Sequence, residues 1–286
     1  MSPAPSGTTT LALAWPIDLV LTVASHGWAH LAPWSWDRDA GRLSRRERVG
    51  AEIGTVAVHQ RALDSLEIEW EGFATGPETA FPIVRRWVSA GWDPAPAIAA
   101  LRPSLAAEAD LIERGGGRLL RGSTFYEDFV KTVLTINTSW SATCRMAAAL
   151  VDEPGGGAFP APAAVLDYGE ARLRERAKLG FRAPTVITAT RRMLDDGVID
   201  AAGEGAPERL PHDYLTGIKG IGPYAAAHCR MLLHDFSRLP VDSAVTAYLR
   251  EHHGSEPAAF AEKLAACSPY LALGYRLTRL REKFAG

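Results

Sequence analysis

Cysteine is scarce. The chain of 286 residues holds three, Cys144, Cys229 and Cys267, far apart. An odd, scattered set makes no disulfide framework and has neither zinc nor iron–sulfur spacing. Such sparse use suits a reducing compartment, so a cytoplasmic location is expected. Long hydrophobic runs are missing as well. The most apolar early stretch, residues 11–24, is interrupted by Pro16 and Asp18, and no Lys or Arg precedes it. It reads as neither membrane span nor signal peptide. A basic surplus is also lacking: 31 Lys and Arg face 33 Asp and Glu, a net charge of −2. That argues against a surface that is basic throughout, yet a local basic face or backbone N–H groups can still hold phosphate. No phosphate-cradling nucleotide loop, metal set or Ser/His/Asp arrangement is found, which leaves a small-molecule enzyme little support.

What is present builds a globular core: 47% of residues are hydrophobic and 22% charged. In the first third, residues 17–23, 55–59 and 65–70 alternate apolar with polar and read as strands. Residues 28–39 carry three tryptophans and a proline, and read as a loop or strand laid over a sheet. The charges at 42–48 read as a solvated turn, and residues 1–10 as a frayed end. From about Pro82 the period becomes helical, with Ile83, Val84, Trp87 and Val88 on one stripe and Ile98, Leu101 and Leu105 on another. Glycines 115–117 break the pattern, residues 119–120 read as extended, and nearly everything after Ser123 reads as helix. These segments are 125–134, 140–151, 161–168, 170–179, 184–195, 224–233, 243–252, 258–266 and 271–284. There is no internal repeat. The expected fold is mainly α: an α+β domain over residues 1–82, then an all-helical domain over 83–286.

The most informative segment is 215–242, LTGIKGIGPYAAAHCRMLLHDFSRLPVD. Gly220 and Gly222 sit between two helical segments, where glycine permits positive φ and close backbone approach. Pro223 falls at the favoured first position of the next helix. The turn at 215–224 then presents free N–H groups at a helix N-terminus, an anion site suited to a DNA phosphate. Ala225, Ala226 and Ala227 let this helix lie close to a neighbour. The glycines alone fit a plain helix–turn–helix connection equally well. Asp242 follows Leu239, Pro240 and Val241 and precedes a helix, so it can serve as an N-cap.

Hairpin, helix, and a loop ending in Val-Asp at the next helix together resemble the helix-hairpin-helix–Gly/Pro/Asp DNA glycosylase superfamily, and the separation of Tyr224 from Asp242 is typical of it. Residues 117–140, 159–163, 179–184 and 268–270 resemble further segments of that family, and coverage is good from about residue 82 onward. Before that it suggests only the small antiparallel-sheet domain of the alkylpurine and 8-oxoguanine members. The resemblance implies base excision from double-stranded DNA containing a damaged base, by a monomer working at the nucleoid or, in a eukaryote, in the nucleus.

It also implies roles. Asp242 would stabilise the oxocarbenium-like sugar that forms as the glycosidic bond breaks, and orient water. Gly220, Ile221, Gly222 and Lys219 would grip the DNA backbone. Asn137 would fill the gap left by the flipped nucleotide. The carbonyls of Thr216, Ile218 and Ile221 are candidates for a monovalent cation. Strand-cleaving members carry a lysine where this chain has Tyr224, and a phenol forms no Schiff base. A monofunctional enzyme needing no cofactor is expected, acting on an alkylated purine because alkylpurine members carry an aromatic there. Phe125, Tyr126, Trp140, Tyr224 and Tyr270 are the candidate stacking residues. The iron–sulfur signature of one branch is absent, and Thr132 near the glutamate position of the adenine-removing members counts against that activity. Lys131 is expected on an exposed helix face, and it and Lys219 are the amines that keep a lyase open. A non-catalytic DNA-binding hairpin protein is the remaining alternative.

Overall fold

The computed structural model describes residues 4–205, 209–211 and 213–285. Five antiparallel strands, β1 (Ser6–Ala12), β2 (Trp34–Asp37), β3 (Arg42–Val49), β4 (Glu52–Ala62) and β5 (Ser65–Glu71), form a sheet in the order β1-β5-β4-β3-β2. The register sets Leu43 against Val58, and Val58 against Ile68. With Val56 and Leu66 these residues are buried. Period-two alternation in β5 therefore gives one inward face, as its sequence anticipates.

Three local expectations fail. Residues 17–23 are not a strand: helix α1 (Leu19–Ala24) starts there, because the Asp18 carboxylate accepts the Leu21 N–H at 2.9 Å. The aspartate that seemed to interrupt an apolar run is an N-cap. Residues 42–48 are not a solvated turn but strand β3, whose Arg45 is buried against Glu47 and Glu127. Of the end expected to fray, residues 1–3 lie outside the described residues and Ser6–Ala12 pairs with β5.

Helices follow: α2 (Pro77–Trp87), α3 (Ala95–Leu101), α4 (Ala106–Glu113), α5 (Phe125–Leu134), α6 (Trp140–Asp152), α7 (Pro162–Glu175), α8 (Ala183–Asp195), α9 (Pro223–Leu232), α10 (Ser243–His253), α11 (Pro257–Lys263) and α12 (Leu271–Ala285). Gly169 sits at φ 80° and breaks α7 between the two segments its sequence shows. Trp34 meets Trp87 edge to face, 4.7 Å between centroids, so sheet and helices share one core. Among the described residues no helix is long and apolar enough to cross a membrane.

Helix α5 is the keel of the molecule: every one of its residues is buried. Thr124 caps it by accepting the Glu127 N–H at 3.1 Å. Lys131, expected on an exposed face, is 0% exposed; its Nζ donates to Glu127 at 2.6 Å. Glu127 also takes both Arg45 terminal nitrogens at 2.8 Å. Asp128 accepts from the Trp28 indole at 2.9 Å, the Gly122 N–H at 2.7 Å and Arg86 at 3.0 Å. Arg45, Arg86 and Lys131 thus offset Glu47, Glu127 and Asp128. Only this pairing makes burial of so much charge tolerable.

Candidate active site

The hairpin at 215–224 begins as a turn, with the Gly217 N–H donating to the Asp213 carbonyl at 3.0 Å and Ile221 to Ile218 at 3.0 Å. Gly220 has φ +94°, and a side chain there would run into Thr185. That glycine is required by the fold. Gly222 is different from expectation: its φ is −93°, an extended conformation open to any residue. A Cβ at Gly222 would meet nothing within 4 Å inside the protein. Pro223 occupies the first turn of α9, so the turn at 219–222, exposed at Lys219, Gly220 and Gly222, opens onto a helix N-terminus. Lys219 is exposed on the same turn, while Ile221 is buried and anchors it.

Beside the hairpin lies a cleft of about 660 Å³. Asn137, Trp140, Gly222, Tyr224 and Asp242 all line it, with Thr135 between them. Asp242 caps α10: its Oδ1 accepts the Val245 N–H at 2.7 Å, which fixes the carboxylate at the mouth of the helix. The capping role and a role in the cleft are therefore compatible. Tyr224, in the first turn of α9, shares a hydrogen bond of 3.2 Å with the Thr135 hydroxyl. Burial pushes its phenol above the ordinary value; the Thr135 bond opposes this and the Asp242 charge adds to it. The Tyr224 oxygen is thus a neutral hydroxyl, not a nucleophile. Asn137 is exposed with φ 47°, the left-handed conformation asparagine tolerates. Arg182 holds that loop by donating to the Ile136 carbonyl at 3.0 Å and the Asn137 carbonyl at 3.1 Å. Trp140, 43% exposed, stands at the start of α6 on the rim.

Three of the five aromatic candidates are not part of this cleft. Phe125 and Tyr126 are core residues; the Tyr126 hydroxyl bonds Thr190 at 2.8 Å inside the protein. The first turn of α5 faces inward, so its aromatics have no access to solvent. Tyr270 packs 6.2 Å from the Phe236 ring, away from the cleft lining. Lys131 is buried in the ion network and cannot reach a DNA sugar.

One group behind the cleft escaped the sequence reading. His228 lies four residues after Tyr224, with ring centroids 5.9 Å apart, and contacts Trp28 at 5.0 Å and His26 at 5.8 Å. The i, i+4 spacing on α9 was the available signal. Burial, then the Arg276 charge, lowers His26 to about 3. Burial, then Arg276 and His26, holds His228 well below the ordinary value. Both are neutral in the fold and must gain protons only when it opens. Their contribution to stability is complete above pH 6.5 and is progressively lost as pH falls below it. Acidification from pH 7.5 to 5.5 is expected to cost about 1.4 kcal/mol for each histidine, roughly 3 kcal/mol together. Urea melts at the two pH values check this. A His26→Gln, His228→Gln double variant should lose that share of the pH dependence; an unchanged profile would show that the two rings are not held neutral.

No family model matches the chain, and no curated protein matches it by sequence. Solved structures do match in fold. A 3-methyladenine DNA glycosylase from Archaeoglobus fulgidus superposes with TM-score 0.73 at 16% identity, covering 96% of this chain and 98% of that one. An apo 8-oxoguanine glycosylase/lyase from Clostridium acetobutylicum gives 0.67 at 13% identity, covering 98% of both chains. The same Clostridium enzyme bound to double-stranded DNA containing cytosine opposite 8-oxoguanine gives 0.59 at 15% identity, covering 91% of this chain and 93% of that one. From the N-terminal sheet to the hairpin and the helix capped by Asp242, the chain shares the fold of these solved DNA glycosylases.

Proposed function

We propose that this protein is a monofunctional DNA glycosylase of base excision repair, which flips a damaged base from duplex DNA and hydrolyses its N-glycosidic bond. One observation carries the reading: Asp242, Tyr224, Asn137 and the hairpin glycine Gly222 line a single cleft. The hairpin backbone binds a phosphate, positioning the duplex without reading its sequence. Gly222 is then needed for what lies outside the protein, since no internal contact demands it. Asn137 enters the stack as the nucleotide leaves it. In the cleft the base stacks on Tyr224 and Trp140. As the C1′–N bond breaks, the sugar gains positive charge and the Asp242 carboxylate stabilises it. Water adds at C1′ and gives its proton to the carboxylate. Products are the free base and an unbroken strand with an abasic site. The aromatic Tyr224 favours a damaged, alkylated purine.

No cofactor enters these steps. Carbonyl oxygens suit an alkali cation, and the Ile218 carbonyl, which accepts from Ile221, keeps a second lone pair. Ile218, Thr216 and Ile221 would hold such an ion, which would neutralise phosphate charge at the hairpin.

Lyase chemistry needs a neutral amine at the sugar. Tyr224 supplies none, Lys131 is buried, and Lys219 lies outside the cleft lining on the phosphate-facing turn. Incubation with a lesion-bearing duplex should therefore leave the strand intact until alkali is added. Equal cleavage with and without alkali, with a borohydride-trapped complex lost in Lys219→Ala, would replace this reading by a bifunctional one.

A further inference from the structure

Phe181 is 56% exposed, more than any other large apolar side chain among the described residues. It stands in a short 3-10 turn, Gly180–Arg182, that runs into α8. Leu179 before it and Ala183 at the end of the turn are buried, so the segment is anchored on both sides while the ring stays in solvent. The Arg182 guanidinium lies 4.3 Å from the centre of that ring. The same guanidinium donates to the Asn137 carbonyl at 3.1 Å, so one side chain joins Phe181 to the loop that carries Asn137. Thr185, in the first turn of α8, is the residue packed against Gly220 of the hairpin. A lone exposed apolar residue needs no explanation by itself. Phe181 differs because its turn is tied both to the hairpin that takes a phosphate and to the loop that enters the base stack.

We propose that Phe181 stacks on the base left without a partner opposite the flipped nucleotide, and holds that base without reading its identity. This rests on the glycosylase reading above. Flipping one nucleotide makes two defects: a gap in its own strand, and a base in the other strand that has lost its pair. Asn137 serves the first. An aromatic face serves the second, because every base has a π-face and stacking on a side chain tolerates any of them. A phenyl ring carries no donor or acceptor, so it cannot sort bases by their hydrogen-bonding edges. Arg182, the nearest cation, is 6% exposed and turned to the carbonyls of Ile136 and Asn137, away from any base. Its contact with the ring also presets where the ring stands, so little freedom is lost on binding. Phe181 is thus a positioning residue: by keeping the emptied pair open it opposes return of the nucleotide to the stack, whichever base stands opposite.

The test measures binding to duplexes with a tetrahydrofuran abasic analogue in place of the flipped nucleotide, and either a normal base or a second analogue opposite. Phe181→Ala should weaken binding to the first duplex about tenfold and to the second scarcely at all. A loosened Asn137 loop, the structural consequence of removing the ring beside Arg182, would weaken both alike. Phe181→Trp should keep the wild-type affinity for the first duplex within a few-fold. Adenine, guanine, cytosine and thymine opposite the analogue should bind the wild type within about fivefold of one another, purines ahead of pyrimidines. The melting temperature should not move in Phe181→Ala, since the ring is exposed. Equal loss on the two duplexes, or a preference of about a hundredfold for one opposite base, overturns the proposal. These comparisons read binding rather than base release. Their failure with base release intact overturns the stacking role alone; their success with no base released overturns the glycosylase chemistry and leaves the stacking role standing.

Discussion

Asp242→Asn is expected to slow base release by about 10²–10³-fold, the scale for removing one preorganised group that faces charge developed in the transition state. Binding to a lesion duplex should hold or tighten, because the hairpin contacts and the cleft walls are untouched and one negative charge is removed near the phosphates. The substitution is nearly isosteric. The asparagine carbonyl oxygen can still accept the Val245 N–H that Oδ1 accepts at 2.7 Å, so α10 keeps its cap. A loss of activity would therefore report the missing charge rather than a frayed helix. Single-turnover kinetics with excess enzyme separate release from binding, and a melting curve tests the cap. An asparagine variant within a few-fold of wild type would confine Asp242 to the capping role.

The second large effect is on stability. Glu127→Ala should destabilise the protein by about 3–5 kcal/mol, since it leaves Arg45 and Lys131 buried without their shared partner. For a chain this size that is a fall of the order of 10 °C in melting temperature. Burial already lowers the Lys131 pKa while Glu127 opposes the shift, so without Glu127 the lysine is expected to shed its proton. The loss should then be smaller at high pH, where a neutral Lys131 is less costly. Arg250→Ala breaks an exposed pair with Glu256 and serves as the control; its melting temperature should stay within error of wild type. Equal effects of the two substitutions would mean that the network beneath the sheet adds nothing a surface pair does not.

Sequence and structure agree where a local pattern fixes the geometry. The hairpin, Pro223 at the start of α9 and Asp242 at the start of α10 are all short-range signals, and the structure brings Asp242, Tyr224, Asn137 and Trp140 onto one cleft. The misreadings have more than one cause, and two of them concern charges drawn into one buried network. Lys131 and the 42–48 segment read as solvated because charges usually are. Arg45 and Glu127, which bury them together, lie 82 residues apart. Asp18 reads as a break in the sequence because its capping role shows only once α1 exists. Phe125 and Tyr126 were candidate stacking residues, but the face that α5 turns inward depends on its position among α6, α8 and α9. His228 was passed over for a related reason. Histidine in an apolar helix is unremarkable in sequence; the two unpaired nitrogens and the nearby guanidinium exist only in the folded chain.

The most direct measurement of the central claim is release of free base from a panel of duplexes, each with one alkylated, deaminated or oxidised base, read by chromatography of the small-molecule fraction. At least one damaged purine should appear as free base, with a stoichiometric abasic site in a strand that breaks only in alkali. Tight binding to the same duplexes with no base released from any of them would contradict it, and would leave a DNA-binding hairpin protein in its place.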